Sequence, residues 1–332
     1  MIFQDITNRV KDSCIAAWHI LLSFVGHLRR FRNYTRRTWR GADPASGSNH
    51  HAVYVHFNPE GVVHDYVVEQ LQQLVASGFR ITFASNAPRL HEPSIELIRP
   101  LCKQVIWRRN RGYDFGAYKD GIAAIGDLSA CDRLLLMNDS VYGPFRSLTE
   151  VFASADPNKT DVWGITDSSD GHYHIQTYFI LFFKEALNSS AFREFWRRLP
   201  YVNSKLWVIR HAEMKLTKKL TQHKLRAAVL CPYWDVAKVA LTKLESKSLE
   251  SLPPRYKTHL EELQADIIEG RPLNPSHYFW ETLINDFNCP FIKRDLIQTN
   301  PVSIADAWRW AELIRNIKSS DIELIKRHLQ TL

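Results

Sequence analysis

The chain has 332 residues, 45% hydrophobic and 23% charged, which suits a globular protein with a sizeable core and argues against general disorder. Its five cysteines (Cys14, Cys102, Cys131, Cys231 and Cys289) form no CxxC pair, a pattern that fits a reducing compartment and disfavours a structural zinc site. The formal net charge is +8, but residues 1–40 hold eight basic groups against Asp5 and Asp12, so the basicity belongs to one end and gives no case for nucleic acid.

That end comes first in chain order. Residues 14–28 are largely apolar, and residues 29–40 follow with six arginines interleaved with Phe31, Tyr34 and Trp39. The apolar run is short of the ~20 residues that a membrane span needs. Its charge follows the apolar part, the reverse of a signal peptide. The pattern predicts a basic amphipathic segment over 1–40 lying on an anionic membrane surface, with packing on the protein's own core as the alternative. Residues 41–50 (GADPASGSNH) read as a linker.

From residue 51 strands and helices alternate. Ala52–Phe57 reads as a buried strand, Asp65–Ala76 as an amphipathic helix capped by Gly78, and Arg80–Ser85 as a second strand. A short helix over Ser94–Leu101, a strand over Gln104–Arg108, a helix over Ala117–Ile125 and the strand Arg133–Met137 continue the series. This alternation predicts an α/β fold with a doubly wound, mostly parallel sheet. The core is expected over 51–235, and 236–332 as a C-terminal helical extension completing the active site, with the charged stretch 243–270 read as a mobile loop followed by a surface helix. In such sheets ligands sit beyond the carboxyl ends of the strands. The rule points to His56, to the turn Asn110–Asp114, and to Asn138-Asp139-Ser140. Neither GxGxxG nor GxxxxGK[ST] follows the first strand, so a dinucleotide site or P-loop is disfavoured.

In the segment 134–145 (LLLMNDSVYGPF), Asp139 stands just past a buried strand, where a carboxylate can hold Mg²⁺ or Mn²⁺ against a diphosphate, with Asn138 and Ser140 adding oxygen contacts. The alternative is a carboxylate that caps the next turn. In 108–122, Asn110, Arg111, Gly112, Asp114 and Lys119 surround a turn and a helix start, an arrangement suited to phosphate or ribose. Asp167, with His172 and His174, lies in a polar loop that leads into the strand Thr177–Phe183. Lys293 and Arg294 either neutralise a diphosphate or face solvent.

Taken together, NRGYDFGAYKDGI (110–122), NDSVYGPF (138–145), DVWGITDS (161–168), HIQTYF (174–179), NPSHYFW (274–280) and PFIKRDLIQTNP (290–301) resemble the rhamnan synthesis protein F family, related to GT-A-type, family 2-like glycosyltransferases. The resemblance spans residues 51–301. It implies a GT-A-like core and an inverting transfer of a sugar, rhamnose first, to a lipid-linked surface polysaccharide or O-antigen. The implied donor is dTDP-rhamnose or a UDP-sugar, and the implied acceptor a glycan or polyprenyl-linked glycan. The implied location is the bacterial cytoplasm, peripheral at the inner face of the cytoplasmic membrane. The triplet Met137-Asn138-Asp139 matches the last position of the Asp-x-Asp-type motif and not its first. By the same resemblance Glu213, near a helix start, is the candidate base, Asp167 its substitute, and His277 a second metal ligand beside Asp139. A metal-dependent phosphoesterase and a non-catalytic glycan-binding subunit are the competing readings.

Overall fold

A computed structural model describes residues 15, 18–246 and 254–332 of the chain. The first part of the 1–40 segment and the loop expected around 247–253 lie outside the described residues.

A helix α1 (residues 18–28) comes first, followed by β1 (Thr35–Arg40), β2 (His50–His56), α2 (Asp65–Ala76), β3 (Phe79–Ser85), α3 (Glu92–Ile98) and β4 (Gln104–Arg108). Then come α4 (Tyr113–Ile125), β5 (Arg133–Asn138), β6 (Val141–Tyr142), α5 (Leu148–Ala153), β7 (Val162–Ser168), β8 (His174–Ile175) and β9 (Phe179–Phe183). The helices α6 (Lys184–Asn188), α7 (Ser190–Arg198), α8 (Lys205–Val208) and α9 (Met214–Gln222) lead to β10 (Ala227–Cys231). The remainder is α10 (Tyr233–Ser246), α11 (Pro254–Ile268), α12 (Pro275–Tyr278), α13 (Trp280–Asp286), β11 (Ile292–Lys293), α14 (Arg294–Gln298) and α15 (Trp310–Leu329).

The main sheet runs β1-β4-β3-β2-β5-β9-β7-β10. The strands β4, β3, β2 and β5 are mutually parallel, and β7 and β10 are parallel, while β9 lies antiparallel between β5 and β7. This is the expected mostly parallel α/β architecture. Its central strands are apolar on both faces because helices cover both faces. On β2, Ala52 and Tyr54 enter one core cluster while Val53 and Val55 enter the other. Likewise Leu135 and Met137 face one side of β5, and Leu134 and Leu136 the other. The first cluster is closed by α2, α10, α13 and α15, the second by α4, α7 and α9.

Three expectations are corrected. Residues 35–40 are an edge strand, paired antiparallel with β4, so the sheet starts before residue 51. Residues 41–43 are tied down rather than loose: Gly41 and Asp43 donate backbone N–H bonds to Lys103 O and Cys102 O, and Asp43 pairs with Arg80 at 2.6 Å. Asp167 lies on β7, not in a loop. The C-terminal extension packs into the core. Its strand β11 pairs with β6, and α15 returns to α2, where His328 Nδ1 meets Tyr142 Oη at 2.8 Å.

Candidate functional site

The site is built where β2 and β5 end. One wall is the turn before α4. Arg108, fully buried, pairs with Asp120 at 2.7 Å and donates to Arg111 O at 2.9 Å, which fixes the loop 109–112 from below. Gly112 has φ +80°, and a Cβ on Gly116 would lie 2.0 Å from Arg111 O, so both positions require glycine. Asn203 clamps the same turn: its Oδ1 accepts from Gly112 N at 3.0 Å and its Nδ2 donates to Asn110 O at 3.4 Å. The buried Asn110 Oδ1 has no hydrogen-bond partner among the described residues. The Arg111 side chain is exposed.

From that wall Asp114 accepts from Asn138 Nδ2 at 3.1 Å, and Asn138 Oδ1 accepts from Ser140 N and Oγ at 3.1 and 2.6 Å. Burial, then the nearby charges of Asp139 and Glu213, pushes the Asp114 carboxyl up to about 6. Lys293 Nζ reaches Ser140 Oγ at 3.4 Å and sits 4.2 Å from the centre of the Tyr178 ring. Burial lowers the Lys293 pKa, with Asp295, Glu213 and Asp114 opposing it. Glu213 closes the far side: its Oε1 accepts from Thr177 N and Thr177 Oγ1, both at 2.9 Å. It is the last residue of a π-helical turn, Ile209–Glu213, a type of helix defect frequent at functional sites.

Asp139 is buried, and its Oδ2 accepts from Phe57 N at 3.1 Å and from Arg294 Nη1 at 3.3 Å. Arg294 also donates to Tyr66 Oη at 2.6 Å, and its backbone N donates to Ser140 O at 2.9 Å. At a diphosphate, Mg²⁺ or Mn²⁺ is held by one or two carboxylates together with phosphate oxygens and waters. His277 turns its Nε2 to Asp295 at 3.0 Å, and its buried Nδ1 has no partner among the described residues. Among the described residues no group of three or more His, Cys, Asp and Glu is placed to hold a metal ion. The fold brings Arg294 to Asp139 and Asp295 to His277, and the Asp139 carboxylate stands where it would hold a divalent cation together with a diphosphate.

Three further candidates are spent elsewhere. His56 has both ring nitrogens engaged, with Ser85 Oγ and Val62 O, each at 3.2 Å. Lys119 donates to Leu199 O at 2.6 Å and Arg30 O at 3.1 Å, a strut between α7 and the end of α1. Burial pushes its pKa down to about 8. Asp167 accepts from Tyr233 N at 2.7 Å and so caps α10, and burial raises its pKa. Sequence reasoning missed Tyr66, Thr177 and Asn203, ordinary polar residues whose only signal is their place in the fold.

The family model for rhamnan synthesis protein F matches residues 81–238. Virulence protein VirA of Vibrio anguillarum is 30% identical over 236 residues, which cover 69% of this chain and 74% of that one. The chain belongs to the rhamnan synthesis protein F family. Protein y4gN of Sinorhizobium fredii (strain NBRC 101917 / NGR234) is 33% identical over 172 residues, half of this chain and 44% of its own length. Among solved structures, the galactosyltransferase LgtC in complex with donor and acceptor sugar analogs is 11% identical, covering 80% of this chain and 96% of that one, with a TM-score of 0.36. The family-matched segment carries Asn110, Asp114, Asp139 and Glu213, whereas Lys293 and Arg294 come from beyond it.

Proposed function

We propose that this chain is a glycosyltransferase that moves a sugar from a nucleoside diphosphate to a growing bacterial surface polysaccharide. The observation that carries the reading is the convergence of Lys293 and Arg294 on Ser140 and Asp139, with Glu213 and Asp114 close enough for their charges to act on Lys293. A departing diphosphate gains negative charge, and two cations fixed at the rim of the sheet offset it without reorganisation. The unpartnered Asn110 Oδ1 is an acceptor for a donor hydroxyl or base N–H. Glu213, whose Oε1 is held by Thr177, takes the proton of the acceptor hydroxyl. The hydroxyl oxygen then bonds to the anomeric carbon as the bond to the diphosphate breaks, with inversion. A Mg²⁺ or Mn²⁺ held by Asp139 and the diphosphate would add to the neutralisation of the leaving group.

The donor sugar is proposed as rhamnose on dTDP, with a UDP-sugar as the alternative, and the product as part of an O-antigen or related lipid-linked glycan. The acceptor is proposed to be polyprenyl-linked at the inner face of the cytoplasmic membrane. No helix among the described residues is long and apolar enough to cross a membrane, so contact with the surface is assigned to the N-terminal segment.

The test is thermal stability with each nucleoside diphosphate, with and without Mg²⁺ or Mn²⁺. A ligand at ~100 times its Kd adds ~2.7 kcal/mol. One diphosphate should stabilise selectively, and Glu213→Gln should keep that stabilisation while losing sugar transfer. A silent panel with no sugar transfer favours the glycan-binding subunit, a reading kept in view by the engagement of Asp139 with Arg294, whereas full transfer by Glu213→Gln rejects Glu213 as the base.

A further inference from the structure

The helix α1 is docked on the core by a face that carries His19, Leu22, Ser23 and Gly26. His19, buried, meets His211 at 3.1 Å, and Ser23 Oγ accepts from Trp207 Nε1 at 2.8 Å. At Gly26 a Cβ would come within 2.8 Å of Val202 and 2.9 Å of Pro200. Lys119 holds the carbonyl of Arg30 just past its end. These contacts fix which way the helix faces, and they leave Trp18, Leu21, Phe24 and Leu28 on its outer side, 57%, 50%, 63% and 71% exposed. A surface helix of a soluble protein shows the opposite pattern, apolar inward and polar outward.

Beside this helix, and sharing Ser23 and His27 with it, lies a cleft of about 600 Å³ against α7 and α9. Its walls carry Arg198, Arg210, Lys215, Lys218 and Lys219, with Phe195 and Trp207 as apolar surface. The carboxylate in the cleft, Glu194, is paired with Lys219 at 3.2 Å. Among the described residues Arg198, Arg210, Lys215 and Lys218 enter no ion pair. Five cations around one concavity that holds a single carboxylate, Glu194, repel one another and attract a multiply charged anion. An apolar helix face flush with such a cleft places that anion at the edge of a bilayer.

We infer that this cleft binds the diphosphate of a membrane lipid while the outer face of α1 lies in the bilayer. A diphosphate, with at least two negative charges, matches the uncompensated cations better than the single charge of a common phosphodiester headgroup. The cleft also communicates with the central site through one helical turn. Ile209–Glu213 carries Arg210 and His211 on the cleft and Glu213 against Thr177. A sugar attached to the bound diphosphate therefore starts one helix width from the candidate base. Naming that lipid as the acceptor rests on the transferase reading, whereas the lipid site itself does not.

The experiment is sedimentation of the full chain with vesicles of phosphatidylcholine alone, with added polyprenyl diphosphate, or with phosphatidylglycerol at matched negative charge. Polyprenyl diphosphate should recruit the chain most strongly. Neutralising the exposed pair, Lys215→Gln with Lys218→Gln, should weaken that binding by roughly 5-fold per lysine, with melting temperature and nucleotide stabilisation unchanged. Phe24→Ser with Leu28→Ser should weaken binding to every vesicle alike. Equal recruitment by phosphatidylglycerol, or wild-type recruitment of the lysine variant, overturns the inference. Lysine-dependent recruitment by a chain that no nucleotide stabilises would uphold the lipid site and reject the transferase reading.

Discussion

Arg294→Gln is the sharpest perturbation of the central site. The Asp139 side chain is 8% exposed, and its carboxylate is met by the Phe57 amide and the Arg294 guanidinium. Without Arg294 the carboxylate stays buried with a single hydrogen bond, and breaking a buried pair this way costs about 3–5 kcal/mol. An unfolding entropy of ~2.1 cal/mol/K per residue over this chain turns that into a fall in Tm of roughly 4–7 °C. Adding Asp139→Asn removes the stranded charge, so the double variant should recover most of the loss. A thermodynamic cycle over the four proteins, by urea or thermal unfolding at pH 7, should give a coupling of about 1–3 kcal/mol. Nucleoside diphosphate binding should be lost in Arg294→Gln and stay lost in the double variant, because the cation is still missing. A single variant within ~0.5 kcal/mol of the parent, or strictly additive effects, would refute the buried pair.

Gly116→Ala forces a Cβ to within 2.0 Å of Arg111 O, so it should cost about 1–3 kcal/mol by overpacking and abolish nucleotide stabilisation by displacing the 109–112 turn. A fully stable variant that still binds nucleotide would show that the turn gives way easily. Asp114→Asn should stabilise the chain above pH 6 by about 1–3 kcal/mol and change little below pH 3.8. The folded chain holds the Asp114 proton up to about 6 while the unfolded chain releases it near 3.8, so its share of stability is complete below 3.8 and lost as pH rises through 6. His328 gives the opposite slope. Burial, then the charges of His64 and Arg294, pushes its pKa down to about 4 from 6.5, so the stability tied to its neutral form is complete above 6.5 and lost as pH falls toward 4. Unfolding measured from pH 7 to pH 4 should show His328→Gln removing on the order of 3 kcal/mol of that slope, and an unchanged slope would argue against the packing of α15 on α2.

What the sequence determined by itself was local. The apolar runs Ala52–Val55 and Leu134–Met137 announce strands buried on both faces, and their alternation with periodic helices announces a parallel sheet. The glycines of 110–122 announce a tight strand-to-helix turn, and Asp139 is legible because it follows the end of a strand, whereas Glu213 was a candidate through the family resemblance. Only the tertiary structure decided what those residues meet. Arg294 reaches Asp139 across 155 positions, Thr177 reaches Glu213 across 36, and Lys119 turns away to Leu199 across 80. Residues 35–40 read as a basic tail because their arginines lie outward on an edge strand, and the pairing with β4 that makes them a strand is itself a long-range contact. Periodicity and propensity are set within a few turns of chain, whereas a carboxylate's partner is set by which distant cation the packed core delivers to it. That is why the sequence places a carboxylate at the rim of the sheet, and only the fold assigns it an arginine.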